Sequence, residues 1–254
     1  PILQKLTHDL GMDFFSSPFD LEGVDFLESL NVPAYKIASM EITDIPLIKK
    51  CAQTGKPIIM STGAATIEDI DLAVQTCLNE RNAQIALLKC TSAYPTPYNE
   101  VNLNQITALK EKYNLLVGLS DHTLGIEVPI ASVVMGAKII EKHFILDKSI
   151  GGADADFSLD KEEFSEMIQA VRDTENLLGK VDYSMTEKKK KSRQFSRSLY
   201  VAEDIKAGEV ITEQNVRSVR PGYGLHPKYL KDIIGKKAIN DLQKGTPAKM
   251  ELFN

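Results

Sequence analysis

Between Met12 and Leu146 one unit recurs: a short apolar segment ending in small polar or charged residues, followed by an amphipathic stretch of helix length. It occurs six times, with apolar segments at Met12–Ser17, Ala34–Ser39, Pro57–Thr62, Ile85–Cys90, Leu115–Ser120 and Lys138–Leu146. Spacings of roughly 20 to 30 residues leave room for a crossover helix between parallel strands and are too long for hairpins or a sandwich. The intervening stretches carry helix signals. Thr66 with Asp69 reads as a capped start, with Ile67, Ile70 and Val74 along one side. Asp160 and Glu163 open the last helix, Phe164, Met167, Ile168, Val171 and Leu178 form its apolar stripe, and Gly179 ends it.

Six units are two fewer than a (β/α)8 barrel requires. The opening PILQKLTHDLG reads as the tail of a helix closed by Gly11, which suggests missing material upstream. The expected fold is α/β: a (β/α)8 TIM barrel lacking its first two βα units over residues 1–180, with a six-stranded open sheet as the structural alternative. Such a barrel should expose core surface and be less stable than a complete one. Residues 181–193, VDYSMTEKKKKSR, have little apolar pattern and read as a linker whose lysine run is solvated. Residues 194–254 change to short strands and tight turns, a small, mostly β second domain in which Asp204–Val210 (DIKAGEV) and Asp241–Pro247 (DLQKGTP) echo each other.

With 254 residues, 43% of them hydrophobic, the chain can bury a large core. A net charge of −5 argues against a nucleic-acid surface, and no apolar run reaches bilayer length. A cytoplasmic protein without nucleic-acid or membrane partners is expected. Cys51, Cys77 and Cys90 are odd in number, lack CxxC spacing and read as core thiols.

The chemistry concentrates at the strand ends. VGLSDHT at Val117–Thr123 and IIEKHF at Ile139–Phe144 each carry a histidine at the outgoing end. Alternation places Gly118, Ser120 and His122 on one face of their strand, and likewise Ile139, Glu141 and His143. Ligands bind at the carboxyl ends of parallel strands, so both imidazoles should face one opening. Two imidazoles can hold a divalent metal and leave positions for substrate oxygens; two unrelated, hydrogen-bonded histidines are the alternative. The other ends offer Ser16 and Ser17; Lys36 and Ser39, with Glu41 beyond; Ser61, Thr62 and Gly63; and Lys89, Thr91 and Ser92 ahead of Tyr94. Hydroxyls, amides freed by glycine and a lysine suit the oxygens of a compact anion, although helix capping accounts for part of the set.

In order, FFSSPFD, YKIASME, PIIMSTG, LLKCTSAYPTP, GLSDHT and EKHF, followed by GGADADFSL and RPGYG, resemble the sialic acid synthase family, which condenses phosphoenolpyruvate with an acylamino sugar. KKKKSRQFSRSLYVAEDIKAGE and RPGYGLHPKYL look most like its pseudaminic acid branch. The resemblance implies a phosphoenolpyruvate-dependent nonulosonic acid synthase that converts 2,4-diacetamido-2,4,6-trideoxy-altrose to pseudaminic acid. N-acetylneuraminate or legionaminate synthase remains an alternative, as does a non-catalytic sugar-binding barrel. It further implies that His122 and His143 hold a divalent ion, manganese first, with magnesium or cobalt as alternatives. With Lys36 they would form the catalytic set. Ser17, Lys36, Ser39, Ser61, Ser92 and Ser120 would surround phosphoenolpyruvate, and Glu41, Tyr94, Asp154 and Arg220 would meet the sugar. Two departures stand out: Ser92 where asparagine is frequent, and Ala153 where proline is commoner. Family members begin with two further βα units carrying a glutamate and a phosphoenolpyruvate-binding lysine, neither of which is in this sequence. The second domain resembles type III antifreeze proteins (an antifreeze-like, or SAF, domain). In the family it caps the partner's barrel in a domain-swapped homodimer.

Overall fold

A computed structural model describes residues 2–254. The chain divides into two compact units, one running to Gly179 and the other comprising Lys180–Asn254.

The first unit alternates helices and strands: α1 (Ile2–Asp9), α2 (Leu21–Ser29), β1 (Tyr35–Ile37), α3 (Ile45–Gln53), β2 (Ile58–Ser61), α4 (Ile67–Asn79), β3 (Ile85–Cys90), α5 (Asn104–Tyr113), β4 (Leu116–Asp121), α6 (Glu127–Val134), β5 (Ile139–Lys142) and α7 (Lys161–Leu178). The strands form one parallel sheet in chain order, β1 to β5. Both expected capping boxes are present, Thr66 with Asp69 on α4 and Asp160 with Glu163 on α7. Each satisfies amide groups that a helix start would otherwise leave unpaired.

Four predicted strands are shorter than expected: Ala34–Ser39 narrows to Tyr35–Ile37 and Pro57–Thr62 to Ile58–Ser61, and the first and last lose more. Met12–Ser17 contributes a single parallel bridge, Ser16 to Tyr35, with the Lys36 amide donating to the Ser16 carbonyl at 3.3 Å. Pro18 has no amide hydrogen with which to continue a ladder. Lys138–Leu146 narrows to Ile139–Lys142 because the following backbone turns to another partner. There the Leu159 amide donates to the His143 carbonyl, and the Ile145 amide donates to the Leu159 carbonyl, both at 2.9 Å.

The helices cover one face of the sheet. Tyr35, Ile37, Ile58, Met60, Ile85, Leu87 and Val117 pack with Val24 and Leu27 of α2, Leu47 and Ile48 of α3, Ile70 and Ala73 of α4, and Ile106 and Leu109 of α5. Period-two alternation turns the intervening residues to the other face. Close strand approach depends on Gly118: a Cβ there would stand 2.4 Å from the Ile139 carbonyl oxygen and 2.6 Å from Leu88 Cδ2. Gly118→Ala is therefore expected to destabilise the first unit by about 1–3 kcal/mol, the usual cost of overpacking a tight interior, measured by denaturant unfolding.

The second unit holds α8 (Glu187–Arg193), the antiparallel strands β6 (Ser198–Val201) and β7 (Val216–Val219), and α9 (Leu230–Ile233). The predicted linker is thus helical in its second half, where Thr186 caps α8 by accepting from the Lys189 amide. Leu199, Val201, Ile211, Val216, Ile233 and Phe253 centre the unit's own core. The two echoing phrases pair with each other through reciprocal backbone hydrogen bonds between Ile205 and Leu242, at 2.8 and 2.9 Å. The Asp204 carboxylate accepts from the Lys244 amide, and Asp241 accepts from the Ala207 amide, so each acid secures the other phrase's turn. Among the described residues no helix is long and apolar enough to cross a membrane.

Candidate active site

The carboxyl ends of β1, β2, β4 and β5 bring three of the sequence-derived site residues, together with Glu141, into one hydrogen-bonded chain. Lys36 is buried, and its ammonium donates to Ser61 Oγ at 2.8 Å and to the Ile37 carbonyl at 3.2 Å. It also lies 3.4 Å from Glu141 Oε1, which accepts from Ser120 Oγ at 2.6 Å. Lys36, Ser61, Ser120 and Glu141 thus occupy the face opposite the helix-packed core. A cation and two hydroxyls beside a carboxylate can hold the oxygens of a small anion and receive or donate a proton next to it.

Beside this chain lies a tight cradle of small groups. Ser39 Oγ is 3.3 Å from Cys90 Sγ and accepts from the Gly63 amide at 3.2 Å. Ser92 Oγ is a buried side-chain polar atom left without a hydrogen-bond partner among the described residues. A buried hydroxyl of that kind is uncommon in native proteins, and a ligand oxygen would satisfy it. Gly63 keeps the cradle open: a Cβ there would sit 2.5 Å from Ser92 Oγ, 2.8 Å from Cys90 Sγ and 2.9 Å from Ser39 Oγ. Gly63→Ala is expected to raise the KM for an anion bound in the cradle roughly 10- to 100-fold, because displacements of about an ångström at a reacting site carry penalties of that size. Steady-state kinetics alongside a melting curve checks this, and the melting temperature should move little.

The two histidines meet across the β4 and β5 ends with ring centroids 5.2 Å apart. Tyr94 lies 4.4 Å from the His122 ring, and buried Phe157 lies 5.0 Å from the His143 ring, which completes a four-ring cluster. His122 Nδ1 is 3.1 Å from the Thr91 carbonyl, which can only accept, so that nitrogen carries the hydrogen. His143 Nδ1 stands 3.4 Å from Asp154 Oδ2, an arrangement that assigns its hydrogen the same way. Each ring therefore keeps Nε2 as a lone-pair donor, with the other nitrogen engaged as metal-ligating histidines usually are. Burial, and then the neighbouring His122, holds the His143 imidazole below its ordinary pKa. For His122 burial also opposes charge, but the Cys90 sulfur and the Thr91 carbonyl outweigh it and raise its pKa. Among the described residues no group of three or more His, Cys, Asp or Glu side chains could hold a metal, so a cation on this pair would complete its shell with water or substrate oxygens. The donor set fits a divalent ion on these terms.

The remaining candidates are less engaged. Ser17 follows the Ser16 bridge and is half-buried; Glu41 lies just beyond β1, also half-buried. Asp154 reaches the cluster from the loop before α7. Arg220 is exposed in the second unit. Three residues escaped the sequence reading. Cys90 is free and buried, as expected of a core thiol, but its place beside the cradle was not foreseen; its position on the same side of β3 as Ala86 and Leu88 was the available signal. Glu141 was seen at its strand end but given no role. Phe157 carried no signal, since its approach depends on the course of a loop. In the other direction, Lys89, Asp121 and Lys142 stand at the same strand ends but point to the opposite face. There Lys89 donates to Thr91 Oγ1, and Lys142 pairs with Asp121.

Comparison with known proteins identifies the family of the chain. Residues 1–183 match the NeuB family and residues 196–253 match the SAF domain. The chain is 48% identical to a pseudaminic acid synthase of Campylobacter jejuni, over 96% of its own length and 71% of that protein's. It is 45% identical to a pseudaminic acid synthase of Helicobacter pylori, over 96% and 72%. Among solved structures, a putative spore coat polysaccharide biosynthesis protein E from Chromobacterium violaceum superposes with a TM-score of 0.79 at 27% identity, covering 99% of this chain and 77% of that one. With a parallel sheet that carries its polar residues at the strand ends, and with relatives of this similarity, the chain belongs to the NeuB family.

Proposed function

We propose that this protein condenses phosphoenolpyruvate with 2,4-diacetamido-2,4,6-trideoxy-altrose, giving pseudaminic acid and phosphate with cleavage of the C–O bond. The observation that carries the reading is the meeting, on one sheet face, of the His122–His143 pair, the Lys36–Ser61–Ser120–Glu141 chain and the cradle with its unpartnered Ser92 hydroxyl. The high identity to two pseudaminic acid synthases supports the choice of sugar. N,N'-diacetyllegionaminic acid synthase of Legionella pneumophila is less similar, at 38% identity.

In this reading Lys36 and the hydroxyls of Ser61 and Ser120 hold the phosphate and carboxylate of phosphoenolpyruvate. Ser39, Ser92 and the Gly63 amide, with Ser17, complete that site. His122 and His143 hold a divalent cation, manganese in the first instance, which when bound would act as a Lewis acid toward the sugar aldehyde. Glu141, already hydrogen-bonded to Ser120, is placed to accept a proton from water adding to the pyruvyl carbon. Tyr94, Glu41 and Asp154 face the sugar, and Asp154 also orients His143. Charge held in fixed positions within a partly dry site supplies much of the rate.

The sheet itself is read as part of an eight-stranded barrel. Strand order follows chain order with no reversal, and the packed core lies on one face of the sheet. A doubly wound open sheet reverses its order at a switch point and covers both faces. We also assign a barrel domain over 1–180, a linker over 181–193, a SAF domain over 194–254 and a homodimeric state in which Arg220 serves the sugar. Sedimentation and the Arg220→Ala variant test the dimer and the arginine.

The deciding assay is phosphate release from phosphoenolpyruvate with added Mn2+, comparing the diacetamido-trideoxy-altrose with N-acetylmannosamine. Turnover with the altrose sugar alone is expected. Turnover with the mannose sugar would move the protein to the neuraminate branch, and release with neither would turn the test to legionaminate precursors and then to the non-catalytic sugar-binding barrel.

A further inference from the structure

On the sheet face opposite Ser120 and Glu141, Asp121 and Lys142 form an ion pair of 2.6 Å whose side chains are 2% and 0% exposed. They are register partners across β4 and β5, and each immediately precedes a site histidine. Thr123 joins them. Its amide donates to Asp121 Oδ1 at 3.0 Å, its hydroxyl donates to the same carboxylate at 2.9 Å, and its carbonyl accepts from the Lys142 ammonium. His122 is therefore flanked on both sides by residues of one buried network, and its own carbonyl accepts from the Thr96 amide at 2.9 Å. His143 follows the network's lysine, and its carbonyl is held by the Leu159 amide.

A buried ion pair is a weak source of stability, because burying two charges is costly and apolar residues of similar volume often serve a fold as well. Fixed direction is what such a pair supplies. This one ties two strand ends together at the positions from which the two imidazoles depart. We propose that Asp121, Lys142 and Thr123 are positioning residues that set the separation and orientation of the His122 and His143 rings. The proposal rests on reading those rings as a cation site.

The test titrates metal-free protein with Mn2+ by calorimetry, for the wild type, the double variant Asp121→Asn/Lys142→Met and His122→Ala, with circular dichroism and melting to follow the fold. The double variant leaves no lone buried charge, and asparagine still offers Thr123 an acceptor. The expected result is a folded double variant whose Mn2+ Kd is about 10- to 100-fold weaker, the range for loss of groups that orient metal ligands. A folded double variant with the wild-type Kd overturns the proposal. A double variant that cannot fold also overturns it, since the pair would then hold the fold rather than the rings. His122→Ala separates the two readings. No Mn2+ binding by the wild type, or unchanged binding by His122→Ala, removes the cation site itself. Weaker binding by His122→Ala with unchanged binding by the double variant removes only the positioning role.

Discussion

The His122→Ala variant should fold and lose about 10³-fold or more in kcat for condensation. The imidazole sits where two strand ends and Tyr94 converge, with Nδ1 held at the Thr91 carbonyl. Removing it eliminates one of the two protein donors available to a cation at this position. Lewis-acid polarisation of a carbonyl contributes several kcal/mol to a transition state, and about 1.4 kcal/mol corresponds to each factor of ten. The structural penalty should be smaller, because the ring's neighbours Tyr94, His143 and Phe157 remain in contact with one another. His143→Ala should behave alike, and Asp154→Asn, which leaves both imidazoles in place and weakens the orientation of His143 and the contact with the sugar, should lose less. Turnover against Mn2+ concentration, with circular dichroism on the same samples, checks all three. Full metal-dependent turnover by either alanine variant would sink the histidine pair as a cation site.

Lys36→Met is expected to raise the KM for phosphoenolpyruvate about 10- to 100-fold, with a smaller change in kcat. The substitution keeps the length of the stem and removes the charge. A charge-assisted hydrogen bond contributes about 1.5–3 kcal/mol, which brackets that loss. The ammonium is nearly enclosed and spends its hydrogen bonds on Ser61 and the Ile37 carbonyl, with Glu141 close by. If its role were only to hold those neighbours together, the variant would melt earlier while its KM stayed in place. Measuring both quantities on one preparation distinguishes the two.

Much of the site could be read from the chain because it rests on local rules. Short apolar strands separated by helix-length segments lead to parallel order, and parallel order puts each strand's last residues on one rim. Period-two alternation then selects Ser120 with His122 and Glu141 with His143. The same rule, applied to β3, would have turned Cys90 toward the cradle and Lys89 away from it. Composition does not separate the two faces there, because a buried cysteine fits either one and a lysine near a strand end resembles a ligand. Cys51 and Cys77 do sit in the core.

Local patterning also determined the capped starts of α4 and α7 and the change of texture into the second unit, since caps and turns are made by residues close in sequence. It did not determine where strands stop. The first predicted strand shrinks to one bridge, and the last gives up its final residues to pairing with Leu159. Tertiary structure alone decided the groups whose partners lie far along the chain: the Gly63 cradle shaped by Ser39, Cys90 and Ser92, the approach of Phe157 to the histidines, and the Asp121–Lys142 pair behind them. Hydrogen bonds and steric fit act across a few ångströms of space, and the packing of five strands sets which distant residues come within that reach.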